Sequence, residues 1–319
     1  MLLAYRVTGH KLEPLPEGID LSHASWIDLH RPEPHEVDAV QALGVEIPTL
    51  ADMEEIEISN RLYRENGIDY MTAVLPGHSE THEARSMPIT FILTTRQMFS
   101  VRHHTPRPFE TYPHRADKVG PGCADPDRLF LSIVEEIIGR LADLLENAGR
   151  ALDDVARQVY AEGGNADGEA LQSALRRTGR EGEAISRVRL ALLTIERMLS
   201  YFAQTLHDAH RGEQLRSLVK GLTHDLQALE VHADFLSSRV ALATDATLGM
   251  INLSQNQTIK IVSVVAAVFL PPTLIASAYG MNFDVMPELH WRWGYPFAVV
   301  LMLAAAVGTF LFFRWKKWL

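Results

Sequence analysis

Cysteine occurs once in 319 residues, at Cys123. A lone thiol excludes an intrachain disulfide and a thiolate metal cluster, and it suits a reducing compartment. The chain also lacks a Walker phosphate loop, a dinucleotide fingerprint and a nucleophile elbow, so no enzymatic activity is expected of it. The apolar run at residues 1–7 is too short for a signal peptide and has no cleavage pattern, so the N-terminal part is expected to stay in the cytoplasm. From residue 255 onward five basic residues stand against two acids, which leaves +3; the first 254 residues therefore carry −13 of the total −10. Such a surface disfavours nucleic acid as a partner and accumulates cations.

What the chain has in abundance is a charge-free C-terminal end. The stretches 261–283 and 293–313 are uncharged and are separated only by residues 284–292. Each is long enough to cross the roughly 30 Å core of a bilayer as a helix. Spans are expected at about 259–279 and 293–313. Lys260 opens the first span, Arg314, Lys316 and Lys317 close the second, and the loop between them holds two acids and Arg292. The positive-inside rule then places both termini in the cytoplasm.

Residues 1–123 read as a mixed α/β domain, with strands at 2–7, 25–29, 69–75, 89–94 and 98–103 and helices at 35–43 and 50–58. Gly120-Pro121-Gly122 and Asp125-Pro126 form a linker into a helical domain, 124–255, which precedes the membrane domain, 256–319. Leu129, Ile133, Ile137, Leu141, Leu144 and Leu145 keep one apolar stripe on a first long helix; Leu171, Leu175, Ile185, Leu190, Leu193 and Ile195 continue it on a second. A third helix begins near Glu213 and meets no strong breaker before Pro271-Pro272, where the lost backbone donors should bend or loosen it.

Tyr279-Gly280-Met281-Asn282-Phe283, followed by Met286-Pro287-Glu288-Leu289 and Gly294-Tyr295-Pro296, resembles the CorA magnesium transporters. The resemblance extends to Glu54-Glu55-Ile56-Glu57 before Arg61 and to Asn252-Leu253-Ser254-Gln255-Asn256 before the membrane. It implies an α+β membrane protein assembled as a homopentameric funnel in the bacterial inner membrane, with a long stalk helix. The implied activity is inward passage of hydrated Mg2+, also Co2+ or Ni2+, driven by the membrane potential and closed by cytosolic Mg2+. A divalent ion gains about 4.6 kcal/mol per 100 mV, so no ATP is needed.

Two spans cannot enclose an aqueous path, so a channel needs several chains. Asn256, Val262, Ala266, Leu270, Thr273, Ser277 and Gly280 recur at helical spacing and keep near one side of the first span. Rings of Asn282 and Asn256 would accept hydrogen bonds from the waters that magnesium sheds reluctantly. The resemblance makes Gly280, Met281 and Asn282 the selectivity filter and Val262 and Leu270 apolar constrictions. The plainer alternatives are a left-handed glycine cap at Gly280 and a Thr273 hydroxyl bonded to its own helix.

Family members sense magnesium through carboxylates at subunit interfaces, and Gly221 stands where the stalk acid would be expected. His224 and Asp225, one turn on, are the substitutes; in the first domain the matching loop is 76–83, with His78, His82 and Glu83, a set that would also hold Zn2+ or Co2+. A solvated polar loop is the bland alternative there, as a solvated helix face is for Glu54, Glu55 and Glu57. Two rival functions are a zinc transporter of the ZntB branch and a membrane-anchored sensor without transport. Polar residues along one face of the first span argue against the sensor.

Overall fold

The computed structural model describes all residues except 17, 56, 80–82, 162–167, 209–212, 282–290, 317 and 319, and only the backbone at 58, 59, 161 and 208. The chain forms two compact units, Met1–Ala156 with Arg176–Ala243, and Arg157–Leu175 with Thr244–Leu319.

The first unit is built on a seven-stranded sheet. In chain order its elements are β1 (Leu2–Thr8), β2 (Lys11–Pro14), β3 (Trp26–His30), α1 (Pro34–Gln41), α2 (Leu50–Glu54), α3 (Ile58–Arg61), β4 (Leu62–Glu65), β5 (Ile68–His78), β6 (Ala84–Leu93), β7 (Met98–Arg102) and α4 (Pro108–Thr111). The strand order is β2-β1-β3-β7-β6-β5-β4, with β3 and β7 parallel and every other pair antiparallel. The strands expected from sequence are present, but β5 and β6 run further, to His78 and from Ala84, so Pro76, Gly77 and His78 belong to a strand rather than a loop. The expected helix 50–58 ends at Glu54, and Arg61 donates to the backbone oxygens of Glu55 and Glu54.

Long helices follow: α5 (Pro126–Ala161), α6 (Gly168–Asp208), α7 (Glu213–Tyr279) and α8 (Gly294–Trp315). Both faces of the sheet are covered. Trp26, Met71, Ile89, Phe91 and Met98 on one face share a core with Phe130 of α5 and Phe202 of α6, while Ile27, Leu29, Ile92, Phe99 and Val101 on the other pack with Val40 and Met53. Each such fully buried side chain contributes about 1.5–3 kcal/mol by leaving water.

On α6 the buried stripe is Ile185, Val188, Leu192, Ile195, Leu199, Phe202 and Leu206. Leu190 and Leu193, assigned to that stripe by sequence, are instead 43% and 40% exposed. Alternating steps of three and four residues from Ile185 skip both positions, and hydrophobicity alone had drawn them in.

A buried polar cluster ties the sheet together. Arg102 forms paired bonds to Asp28, at 2.8 Å for Nη2 to Oδ2, Ser100 donates to Asp28 at 2.7 Å, and the Trp26 indole donates to Ser100 at 2.9 Å. Cys123 is buried, its thiol 3.4 Å from the His10 carbonyl, and burial raises its pKa.

Candidate functional site

In the second unit α7 continues without interruption through Pro271 and Pro272 to Tyr279. The expected loosening at the prolines therefore does not end the helix, although the carbonyls of Ala267 and Val268 lose their usual donors. One side of the segment is covered: Val264 is buried, and Val268, Pro271, Ile275 and Tyr279 are partly buried at the same phase. Val262, Ala266, Leu270, Thr273, Ser277 and Gly280 are all exposed, with Val262 at 63% and Leu270 at 72%. Val262 precedes Val264 by two residues, about 200° around the helix, so the exposed face is opposite the covered one.

Asn256 is not on that face. It lies six residues before Val262 and is rotated about 120° from it. Its side chain lines a cavity of about 410 Å³ with Leu171, Met250, Leu253, Ser254, Gln257 and Lys260. Gly280 and Met281 follow the end of α7 at Tyr279, while Asn282 lies outside the described residues. Gly280 does not take the left-handed conformation of a terminal cap. A Cβ there would stand 3.3 Å from the Ala276 carbonyl oxygen, which accepts the Gly280 N–H at 3.0 Å, a tight contact that a shift of a few tenths of an ångström would relieve.

The Thr273 hydroxyl donates to the Phe269 carbonyl at 2.7 Å. This bond to its own helix spends its only proton, so the oxygen lone pairs are what an exposed Thr273 offers outward. A water held by a cation directs its hydrogens away from the ion. An acceptor-only hydroxyl fits it.

Among the described residues, the expected regulatory groups do not come together in one chain. His78 ends β5 and exchanges backbone bonds with Thr105, at 3.2 Å each way. Glu83 is paired with Arg85 at 3.1 Å, and His82 lies outside the described residues. His224 and Asp225 are exposed on α7. Among the described residues no three His, Cys, Asp or Glu groups come together to hold a metal ion.

Asp225 does have a neighbour that sequence reasoning missed. It shares a cleft of about 790 Å³ with Glu135, Glu136, Arg107, Arg115 and Lys118. Glu136 is engaged by Thr111 at 2.8 Å and Arg115 at 3.0 Å. Burial, then the charges of Asp225 and Glu136, push the Glu135 carboxyl above its ordinary range. The signal was available: Glu135 is an acid inside the apolar run Ile133, Val134, Ile137, Ile138.

An α/β domain, long helices and two C-terminal helices of membrane length and apolarity define the class. Residues 22–317 match the model of the family described as CorA-like Mg2+ transporter protein. The chain belongs to the CorA family. It is 35% identical over 327 residues to the magnesium transport protein CorA of Escherichia coli strain K12, with all of both chains covered. It also resembles the complete structure of the CorA magnesium transporter from Methanocaldococcus jannaschii, at TM-score 0.72 and 17% identity over 100% of this chain and 99% of that one. The ZntB cytoplasmic domain from Vibrio parahaemolyticus is a more distant likeness, at TM-score 0.56 and 13% identity over 77% of this chain and 96% of that one, and shows the fold alone.

Proposed function

We propose that this chain is one subunit of a homopentameric channel that admits hydrated magnesium, and also cobalt and nickel, into the cytoplasm across the inner membrane. The observation that carries the reading is the exposed face of α7, where Thr273 and Ser277 alternate with Val262, Ala266 and Leu270 opposite a covered stripe. Five copies of that face around an axis make alternating polar and apolar rings with no carboxylate to trap the ion. Asn282, with Gly280 and Met281, forms the outer selectivity ring, and Asn256 stands at the edge of the pathway on the cytoplasmic side. Leu270 and Val262 form constrictions that close by dewetting.

Both termini and the domains before residue 256 lie in the cytoplasm in this reading. Cytosolic magnesium closes the channel through sites shared between subunits, which draw on His78, His82, Glu83, His224 and Asp225. A zinc transporter is less well supported, because the full-length relative at 35% identity carries the magnesium name while the likeness to ZntB is one of fold. The test is flux into liposomes that contain only the purified protein. Magnesium entry driven by an inside-negative potential is expected; zinc entry without magnesium entry, or no entry from an assembled oligomer, would overturn the reading.

A further inference from the structure

The cavity beside Asn256 sits at a definable depth. Lys260 is the last charge before the uncharged stretch 261–283, and Met250 lies ten residues back along α7. That separation is about 15 Å along the helix axis, comparable to the thickness of a head-group layer. The lining changes character in order along it. The Lys260 ammonium is nearest the span, the amides of Gln257 and Asn256 follow, then the Ser254 hydroxyl and the exposed Leu253, with Met250 and the buried Leu171 of α6 as the floor.

A phospholipid with a polyol head presents the complementary order: acyl chains in the bilayer, a phosphodiester anion at its surface, and hydroxyls beyond. We propose that this groove holds the head group of an anionic, polyol-bearing phospholipid of the cytoplasmic leaflet, with Lys260 on the phosphate and Gln257 and Ser254 on the hydroxyls. The proposal rests on the reading of α7 as a membrane span whose N-terminal side is cytoplasmic. A cavity of about 410 Å³ is within the usual range for a small-ligand site, roughly 300–1,000 Å³. The charge is of the right sign for an anionic leaflet, and Arg314 and Lys316 at the end of α8 meet the same leaflet in this topology.

The experiment is native mass spectrometry of the purified full-length oligomer with phosphatidylglycerol or phosphatidylcholine added. Wild-type protein is expected to retain phosphatidylglycerol preferentially. Lys260→Gln should weaken that retention about fivefold, the effect of one basic residue at an anionic surface, with the oligomer intact. Leu171→Trp, which fills the floor from α6, should weaken it independently. Equal retention of the two lipids, or retention unchanged in both variants, would overturn the proposal. Displacement of the lipid by millimolar inorganic phosphate would assign the groove to a free anion and overturn it too. The readout is lipid retention, so a protein that fails to carry magnesium still returns an answer; release of the protein from membranes by alkaline carbonate would instead show that α7 does not span.

Discussion

Gly77 lies so close to His104 that a Cβ built on it would stand 2.5 Å from the imidazole Cδ2 and 2.9 Å from the Pro106 nitrogen. The His104 ring is fixed by a 2.8 Å bond between Nε2 and the Leu75 carbonyl, so it has little room to retreat. Gly77 therefore lets the segment after β7 cross the end of β5, the strand that ends at His78. Gly77→Ala should destabilise the protein by about 1–3 kcal/mol, the usual cost of overpacking. Thermal unfolding of the purified chain measures it, and an unchanged midpoint would show that the crossing can relax.

His104 and His30 predict acid sensitivity. Burial, and then the Arg102 charge, push His30 down to about 4; burial likewise pushes His104 down to about 4 despite its bond to Leu75, with Arg102 adding to the effect. The groups facing them include Asp28, Arg31, His103 and the chain's N-terminus. Their folded pKa values lie below the ordinary 6.5, so the unfolded chain binds more protons between those limits and stability falls as pH drops from about 6.5 towards 4. Denaturation midpoints at pH 7, 6 and 5 should decline, and less steeply in His104→Gln. A flat profile would contradict the burial of these imidazoles.

The buried Asp28–Arg102 pair gives a sharper stability effect. Asp28→Ala leaves a guanidinium that is only 5% exposed, bonded to the His104 carbonyl but with no counter-charge. Removing one partner of such a pair costs about 3–5 kcal/mol. Arg102 also lies 5.1 Å over the Phe109 ring, and that contact survives the substitution. Denaturant titration of the two proteins decides the matter; a loss below about 1 kcal/mol would place the pair with exposed ion pairs instead.

The membrane end was legible because length and charge decide it: residues 261–283 contain no charged side chain, and no globular core is needed to read that. The strands β2 and β4 were missed because each is only four residues long and at the edge of the sheet, too short for any alternation of apolar and polar side chains to stand out. The phase of Asn256 relative to Val262 was computable, yet it was absorbed into a face with a wide arc. Glu135 was passed over for a physical reason: an acid in an apolar run is read as the solvent side of a helix until a second helix brings Asp225 opposite it.

The pore assignments predict opposite effects at two positions. Asn282→Ala should abolish magnesium uptake with the oligomer intact, because the span supplies no carboxylate to replace the lost acceptors. Leu270→Gly should raise flux at high internal magnesium by removing the apolar neck. Radiotracer or fluorescent-indicator uptake into liposomes measures both. Normal uptake by Asn282→Ala would remove the filter from this residue, and a Leu270→Gly protein that closes as tightly as wild type would move the gate to Val262.

Regulation by magnesium yields the last prediction. Folding sets Glu135 and Asp225 in one cleft at an electrostatic cost, since the Glu135 carboxyl is raised by burial and by Asp225. A group with a raised acid pKa binds protons more readily in the folded state, so its contribution to stability is lost as pH rises through that pKa. At pH 7 without magnesium, Asp225→Asn should therefore raise the unfolding midpoint. A divalent cation between subunits relieves the same repulsion, and it controls gating only by binding the closed arrangement more tightly than the open one. Replacing Asp225 and Glu83 together by Ala should shift magnesium-dependent protease protection of the cytoplasmic part to higher magnesium. Glu83 must leave Arg85 to bind an ion, so Glu83→Ala alone should shift the curve less than Asp225→Ala alone. An unshifted curve in the double variant would show that these are not the ligands, and a wild type without any magnesium-dependent protection would count against sensing by this chain.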